Sequence, residues 1–144
     1  MNILLTFLVA LTIVLPIEKK KLDNNQHVNV EMKFPVKISI GKTSELAFFF
    51  KPIDGIHVNT TPMFELRLDK NSSFDVVGNP RFQKDKNDYL DITKPIEFSV
   101  KAKDNLKIGQ YDLKGKLNYF YCSDAEGWCN RFTQPIDVII EVTK

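Results

Sequence analysis

Ile96-Glu97-Phe98-Ser99-Val100-Lys101-Ala102 alternates apolar and polar side chains along its length. A period of two buries one set of side chains and leaves the other in water, which is the signature of a half-buried strand. The same alternation recurs on both sides of this stretch. Val28, Val30 and Met32 form one run and Val36, Ile38 and Ile40 another, with Pro35 between them as an edge or a switch of strand. Further runs are Leu46, Phe48 and Phe50; Phe64, Leu66 and Leu68; Leu117, Tyr119 and Tyr121; and Ile136, Val138, Ile140 and Val142. Turn signals punctuate them at Pro52-Ile53-Asp54-Gly55, Asp69-Lys70-Asn71, Gly78-Asn79-Pro80 and Lys103-Asp104-Asn105. No window after the amino-terminal segment repeats apolar residues at helical spacing. Seven or more short strands at such spacing predict an all-β fold, a two-sheet sandwich of immunoglobulin-like type. The polar stretch from Arg81 to Lys94 predicts a long loop over one end, with Phe82 and Tyr89 as isolated aromatics.

The 144 residues fit one domain, and 43% hydrophobic residues suffice for its core. Eleven Phe against one Trp and four Tyr point to a core built largely on phenylalanine. A net charge of +2, with no basic run interleaved with aromatics after the amino terminus, gives no nucleic-acid signature. Ile3 to Ile17 is uncharged for fifteen residues and is followed by Glu18-Lys19-Lys20-Lys21. That length is short for a membrane span and suits the apolar core of an export signal. Residues 1–21 are therefore expected to be a signal peptide or an N-terminal anchor, and residues 27–144 the sandwich. Contact with a membrane is expected only through that first segment, if it is retained. Export matters chemically, because an oxidising compartment is where a disulfide persists.

Cys122 and Cys129 are the only cysteines, with six residues between them in Cys122-Ser123-Asp124-Ala125-Glu126-Gly127-Trp128-Cys129. Gly127 supplies the conformational freedom for a turn, and Asp124 can bond its own backbone there. A blue-copper site needs a His and usually a Met shortly after its Cys, and neither follows Cys122. Zinc is excluded because the cysteine spacing is wrong and His27 and His57 stand alone. No metal or other cofactor is expected. A Cys–His hydrolase lacks an orienting group and an oxyanion hole, so His57 reads as a structural residue where a strand leaves a turn. Asn59-Thr60-Thr61 and Asn71-Ser72-Ser73 match the glycosylation pattern, and neither is assigned a function.

The thiol pair remains, with two readings. A ring of about eight residues contributes only ~2.5 kcal/mol as a staple in the chain-entropy model. A short-ring disulfide at a loop is also open to thiolate attack. Tyr121 and Trp128 flank the pair and could shield it or form a docking face. Asp124 and Glu126, if close, would raise the thiol pKa values. Spacing alone leaves staple and redox pair even.

The run Tyr119-Phe120-Tyr121-Cys122-Ser123-Asp124-Ala125-Glu126-Gly127-Trp128-Cys129 resembles the redox segment of the amino-terminal periplasmic domain of the DsbD family of thiol:disulfide interchange proteins. That family shows a Tyr, a spacer, Cys-x-Asp, then a Gly–aromatic–Cys close. Asp54-Gly55-Ile56-His57-Val58-Asn59, Gly109 and the run Ile136 to Val142 extend the similarity over roughly Val28 to Val142. The resemblance implies an immunoglobulin-like sandwich that passes electrons between proteins through successive mixed disulfides. It implies that Cys129 forms the mixed disulfide and Cys122 resolves it. It places Gln83 to Leu90 where the family has a capping loop, with Tyr89 as the shield. The implied partners are thioredoxin-like or membrane thiol-transporter redox proteins, and the implied location is periplasmic or otherwise exported. Two departures are local: six residues separate the cysteines here where the family has five, and Asn130-Arg131 replaces a proline that often follows the second cysteine. The alternative is a non-enzymatic binding or assembly module with a structural loop disulfide.

Overall fold

The computed structural model describes residues 16–22 and 25–144. Ten strands run through them: β1 (Ile17–Lys21), β2 (Val28–Pro35), β3 (Lys37–Ser39), β4 (Thr43–Pro52), β5 (Ile56–Val58), β6 (Glu65–Leu68), β7 (Phe74–Arg81), β8 (Ile96–Ala102), β9 (Gly109–Ser123) and β10 (Trp128–Thr143). One sheet has the order β1-β2-β4-β8-β7, the other β3-β10-β9-β5, with β6 also paired to β9. All pairings are antiparallel except β3 with β10. The immunoglobulin-like all-β sandwich expected from the alternating runs is the architecture found.

The alternation explains the core. Val28, Val30 and Met32 on β2, Leu46, Phe48 and Phe50 on β4, and Ile96, Phe98 and Val100 on β8 face inward from the first sheet. Leu113, Leu117, Tyr119, Ile136, Val138 and Ile140 meet them from the second. Phenylalanine shares this core with valine and leucine and does not dominate it: Phe48 and Phe98, on neighbouring strands of the first sheet, meet edge-on at 5.8 Å, and Phe50 reaches Tyr119 of the second at 4.9 Å. Such edge-to-face pairs add about 0.5–1.5 kcal/mol each beyond the area they bury. Gly115 is required where β6 crosses β9, because a Cβ there would run into the Arg67 carbonyl oxygen and lie 2.9 Å from the Leu68 Cα.

Pro35 does mark a change of strand, since β2 belongs to the first sheet and β3 to the second. Gly78-Asn79-Pro80 is no turn. It lies inside β7, where the pairing with β8 shifts register between Val77 and Arg81. This is a bulge on an edge strand, with Gly78 at φ 72° and Pro80 where no ladder donor is needed. The export segment falls mostly on residues 1–15, outside the described residues. Ile17 to Lys21 pair with Lys21↔Glu31 through Ile17↔Pro35, so the sheet begins before the expected domain start at residue 27. Lys19 and Lys51 flank Glu31 at 2.6 and 2.9 Å and hold its carboxyl at a pKa of about 2.

Candidate functional site

The β9–β10 hairpin carries the cysteines at its tip. Its turn closes with the Gly127 amide donating to the Ser123 carbonyl at 2.9 Å and the Glu126 amide donating to Ser123 Oγ at 3.3 Å. Gly127 adopts φ 71°, as its place in the turn predicts. Cys122 and Cys129 are direct cross-strand partners, 4.1 Å apart at Cα, and are joined by a disulfide.

Strand alternation fixes which way the bridge faces. Tyr119 and Tyr121 point into the sandwich with Leu117, so Cys122 must point to the opposite, outer face. His57 on β5 is the cross-strand neighbour of Cys122 on the side away from Cys129, and shares that face. The outer face therefore presents a row: Cys129 on β10, Cys122 on β9, His57 on β5, then Tyr89. Cys122 is only 4% exposed, whereas Cys129 is exposed.

The loop from Phe82 to Pro95 brings Tyr89 to this row. Asp85 Oδ1 accepts the amides of Asn87 and Tyr89, Thr60 Oγ1 donates to the Asp88 carbonyl at 2.8 Å, and the Leu90 amide donates to the Val58 carbonyl at 2.9 Å. Leu90 is thereby buried in the core while Tyr89 turns outward. The Tyr89 ring stacks on His57 with centroids 3.6 Å apart and planes 22° from parallel. Its hydroxyl donates to Asp124 Oδ2 at 3.3 Å, and the same oxygen lies 3.5 Å from His57 Nδ1. Desolvation first, then the Asp124 carboxylate, push the Tyr89 phenol above its usual range. Its proton therefore stays on to make that bond at neutral pH.

Tyr89 and Asp124 thus reach the cysteine row, as does His57, expected from its place after a turn to be a structural residue. Tyr121 and Trp128 flank the pair in sequence but point to the other side of the sheet. There Trp128 meets Tyr121 edge-on at 5.8 Å and His27 at 5.0 Å, and its indole donates to Glu126. They close the end of the sandwich beneath the bridge instead of covering it. Nothing local to Gly55-Ile56-His57 announced the histidine's place, because its partner strand is over sixty residues away.

Fold and site together define an immunoglobulin-like β-sandwich with a disulfide on its outer face at a hairpin tip. No family model matches the chain, and no curated protein does. Among solved structures the chain is similar to the GAE domain of yeast GGA1, at 11% identity and a TM-score of 0.48, over 84% of this chain and 98% of that one.

Proposed function

We propose that this protein is an exported thiol:disulfide interchange domain, passing electrons between partner proteins through reversible opening of Cys122–Cys129, as the likeness to the DsbD family implies. One observation carries the reading: the bridge lies on the outer face with one partner exposed and the other covered. Attack on a disulfide proceeds in line with the sulfur–sulfur bond. An attacker of Cys129 arrives past the outer side of β10, where no described strand pairs with it at that level; an attacker of Cys122 arrives from the side of His57, on which Tyr89 is stacked.

A partner thiolate attacks Cys129 Sγ, forming a mixed disulfide and breaking the internal bond, whose electron pair leaves on Cys122. The partner's second thiol then displaces Cys129, so the partner dithiol is oxidised and this pair reduced by two electrons and two protons. In the onward step the Cys129 thiolate attacks an acceptor disulfide and Cys122 resolves the adduct, restoring the bridge. His57, on the strand beside Cys122, shares the face on which the thiolate departs, and Asp124 orients that ring. Thioredoxin-like or membrane thiol-transporter proteins are the partner class this chemistry suits.

A second reading is a binding or assembly module whose disulfide only pins the hairpin. It is favoured by the short ring between residues that strand pairing already holds together. Trapping separates the two. A Cys122→Ser variant should accumulate a mixed disulfide through Cys129 when mixed with oxidant and a thioredoxin-like protein whose second, resolving cysteine has been replaced by serine. A Cys129→Ser variant should not, and equal trapping by neither or both favours the second reading.

A further inference from the structure

We propose that the outer edge of β10, from Cys129 to Thr133, is a strand-addition site for the partner segment that carries the attacking cysteine. The inference rests on the exchange reading above and adds how a polypeptide partner is held. In an antiparallel ladder, the backbone groups of successive residues point alternately to one neighbouring strand and to the other. On β10 the outward set is fixed by its contacts. The Thr143 carbonyl accepts from the Ile40 amide at 2.9 Å, and the Glu141 amide donates to the Val36 carbonyl at 2.8 Å. The Asp137 carbonyl accepts from Lys20 Nζ at 2.6 Å. Odd-numbered residues therefore face away from β9, and Pro135, lacking an N–H, is placed where it costs the hairpin no bond. The Cα separation of 4.1 Å between Cys122 and Cys129 agrees, since close spacing marks a pair that does not exchange ladder bonds.

By the same parity the amides and carbonyls of Cys129, Arg131 and Thr133 point outward. Among the described residues none of these backbone groups has a hydrogen-bond partner. An unpaired edge of this kind is a template for another strand. Here it begins at the exposed sulfur. A partner cysteine directly opposite Cys129 would exchange both ladder bonds with it, at a Cα separation of about 5.5 Å, inside the span a disulfide bridges. Strand addition on this edge thus delivers the thiolate from the side opposite Cys122. The partner S–Cys129 bond forms, the Cys129–Cys122 bond breaks, and the proton released by the partner thiol is taken up from solvent by Cys122.

The test uses the whole oxidised chain and an extended seven-residue peptide with one central cysteine and Thr and Val flanks. Methylating the peptide nitrogens two positions either side of the cysteine removes donors aimed at β10; methylating those one position either side removes donors aimed away. Mixed-disulfide formation should slow by roughly two- to twelve-fold per lost bond for the first peptide and stay unchanged for the second. In the protein, Arg131→Pro deletes an outward N–H, while Arg131→Ala removes the charge and keeps it; only the former should slow the peptide. Reduction by dithiothreitol should be the same for wild type and both variants. If dithiothreitol leaves the wild-type bridge intact, the exchange reading itself fails. If the bridge opens but the peptides follow any other pattern, strand addition is overturned, and the peptide comparison decides this even where Arg131→Pro does not fold.

Discussion

Single-cysteine variants separate the two sulfurs by a ratio that the site geometry sets. In Cys122→Ser the remaining thiol, Cys129, stands exposed on an edge that no described strand covers; in Cys129→Ser the remaining Cys122 is buried beside His57, on which Tyr89 stacks. His57 is the neighbour of Cys122 on that face, and for its ring to swing aside Tyr89 must leave its stack on it and its hydroxyl must leave Asp124. An aromatic pair and a hydrogen bond each hold the closed form by roughly two- to twelve-fold, or about 5- to 150-fold together. Alkylation by iodoacetamide at fixed pH, with each thiol's ionisation measured separately and divided out, should be faster at Cys129 by a factor in that range. Tyr89→Ala should lower the ratio by speeding Cys122 alone, while His57, still beside Cys122, keeps it above one. Equal corrected rates with Tyr89 intact, or a ratio unmoved by its removal, would refute the covering role of this loop.

Other perturbations read the framework. Replacing both cysteines by serine should lower stability by about 2.5 kcal/mol or less in urea unfolding, because the closed ring is short; a chain that no longer folds would mean that the hairpin depends on the bridge. Gly115→Ala should cost about 1–3 kcal/mol by the same assay, since its Cβ meets backbone atoms of Arg67 and Leu68 that have no rotamer to yield; a change under half of that would contradict the close crossing of β6. Lys19 and Lys51 hold Glu31 at a pKa of about 2, below its unfolded value near 4.5. The stabilisation is therefore complete above about pH 4.5 and disappears as pH falls toward 2. Carboxyl titration by NMR should show the Glu31 midpoint rising in Lys51→Gln, and an unchanged midpoint would refute the pairing.

The buried faces were legible because alternation writes burial directly into sequence: Leu46, Phe48 and Phe50, or Ile136, Val138 and Ile140, can face only one way. The same rule already placed Tyr121 with Leu117 and Tyr119, so its inward direction was available from parity, and proximity to Cys122 in sequence obscured it. Strand β1 could not be read, since every residue of Ile17 to Lys21 is exposed and no alternation exists. Strand β5 is three residues long, and the Gly78-Asn79-Pro80 signal for a turn is chemically the same as the signal for an edge bulge. His57 escaped for a different reason. Its chemistry comes from non-local pairing with Cys122 and from Asp124 across a hairpin tip, and neither distance is encoded near residue 57.

The central claim, that Cys122–Cys129 opens and closes as the protein works, is tested most directly by its reduction potential. The purified chain would be equilibrated in graded redox buffers, acid-quenched and alkylated, and its free thiols counted by mass. A working exchange pair should be half reduced at a potential above about −300 mV, within reach of thioredoxin-like donors. A bridge still fully oxidised well below about −300 mV would behave as a structural disulfide and contradict the account.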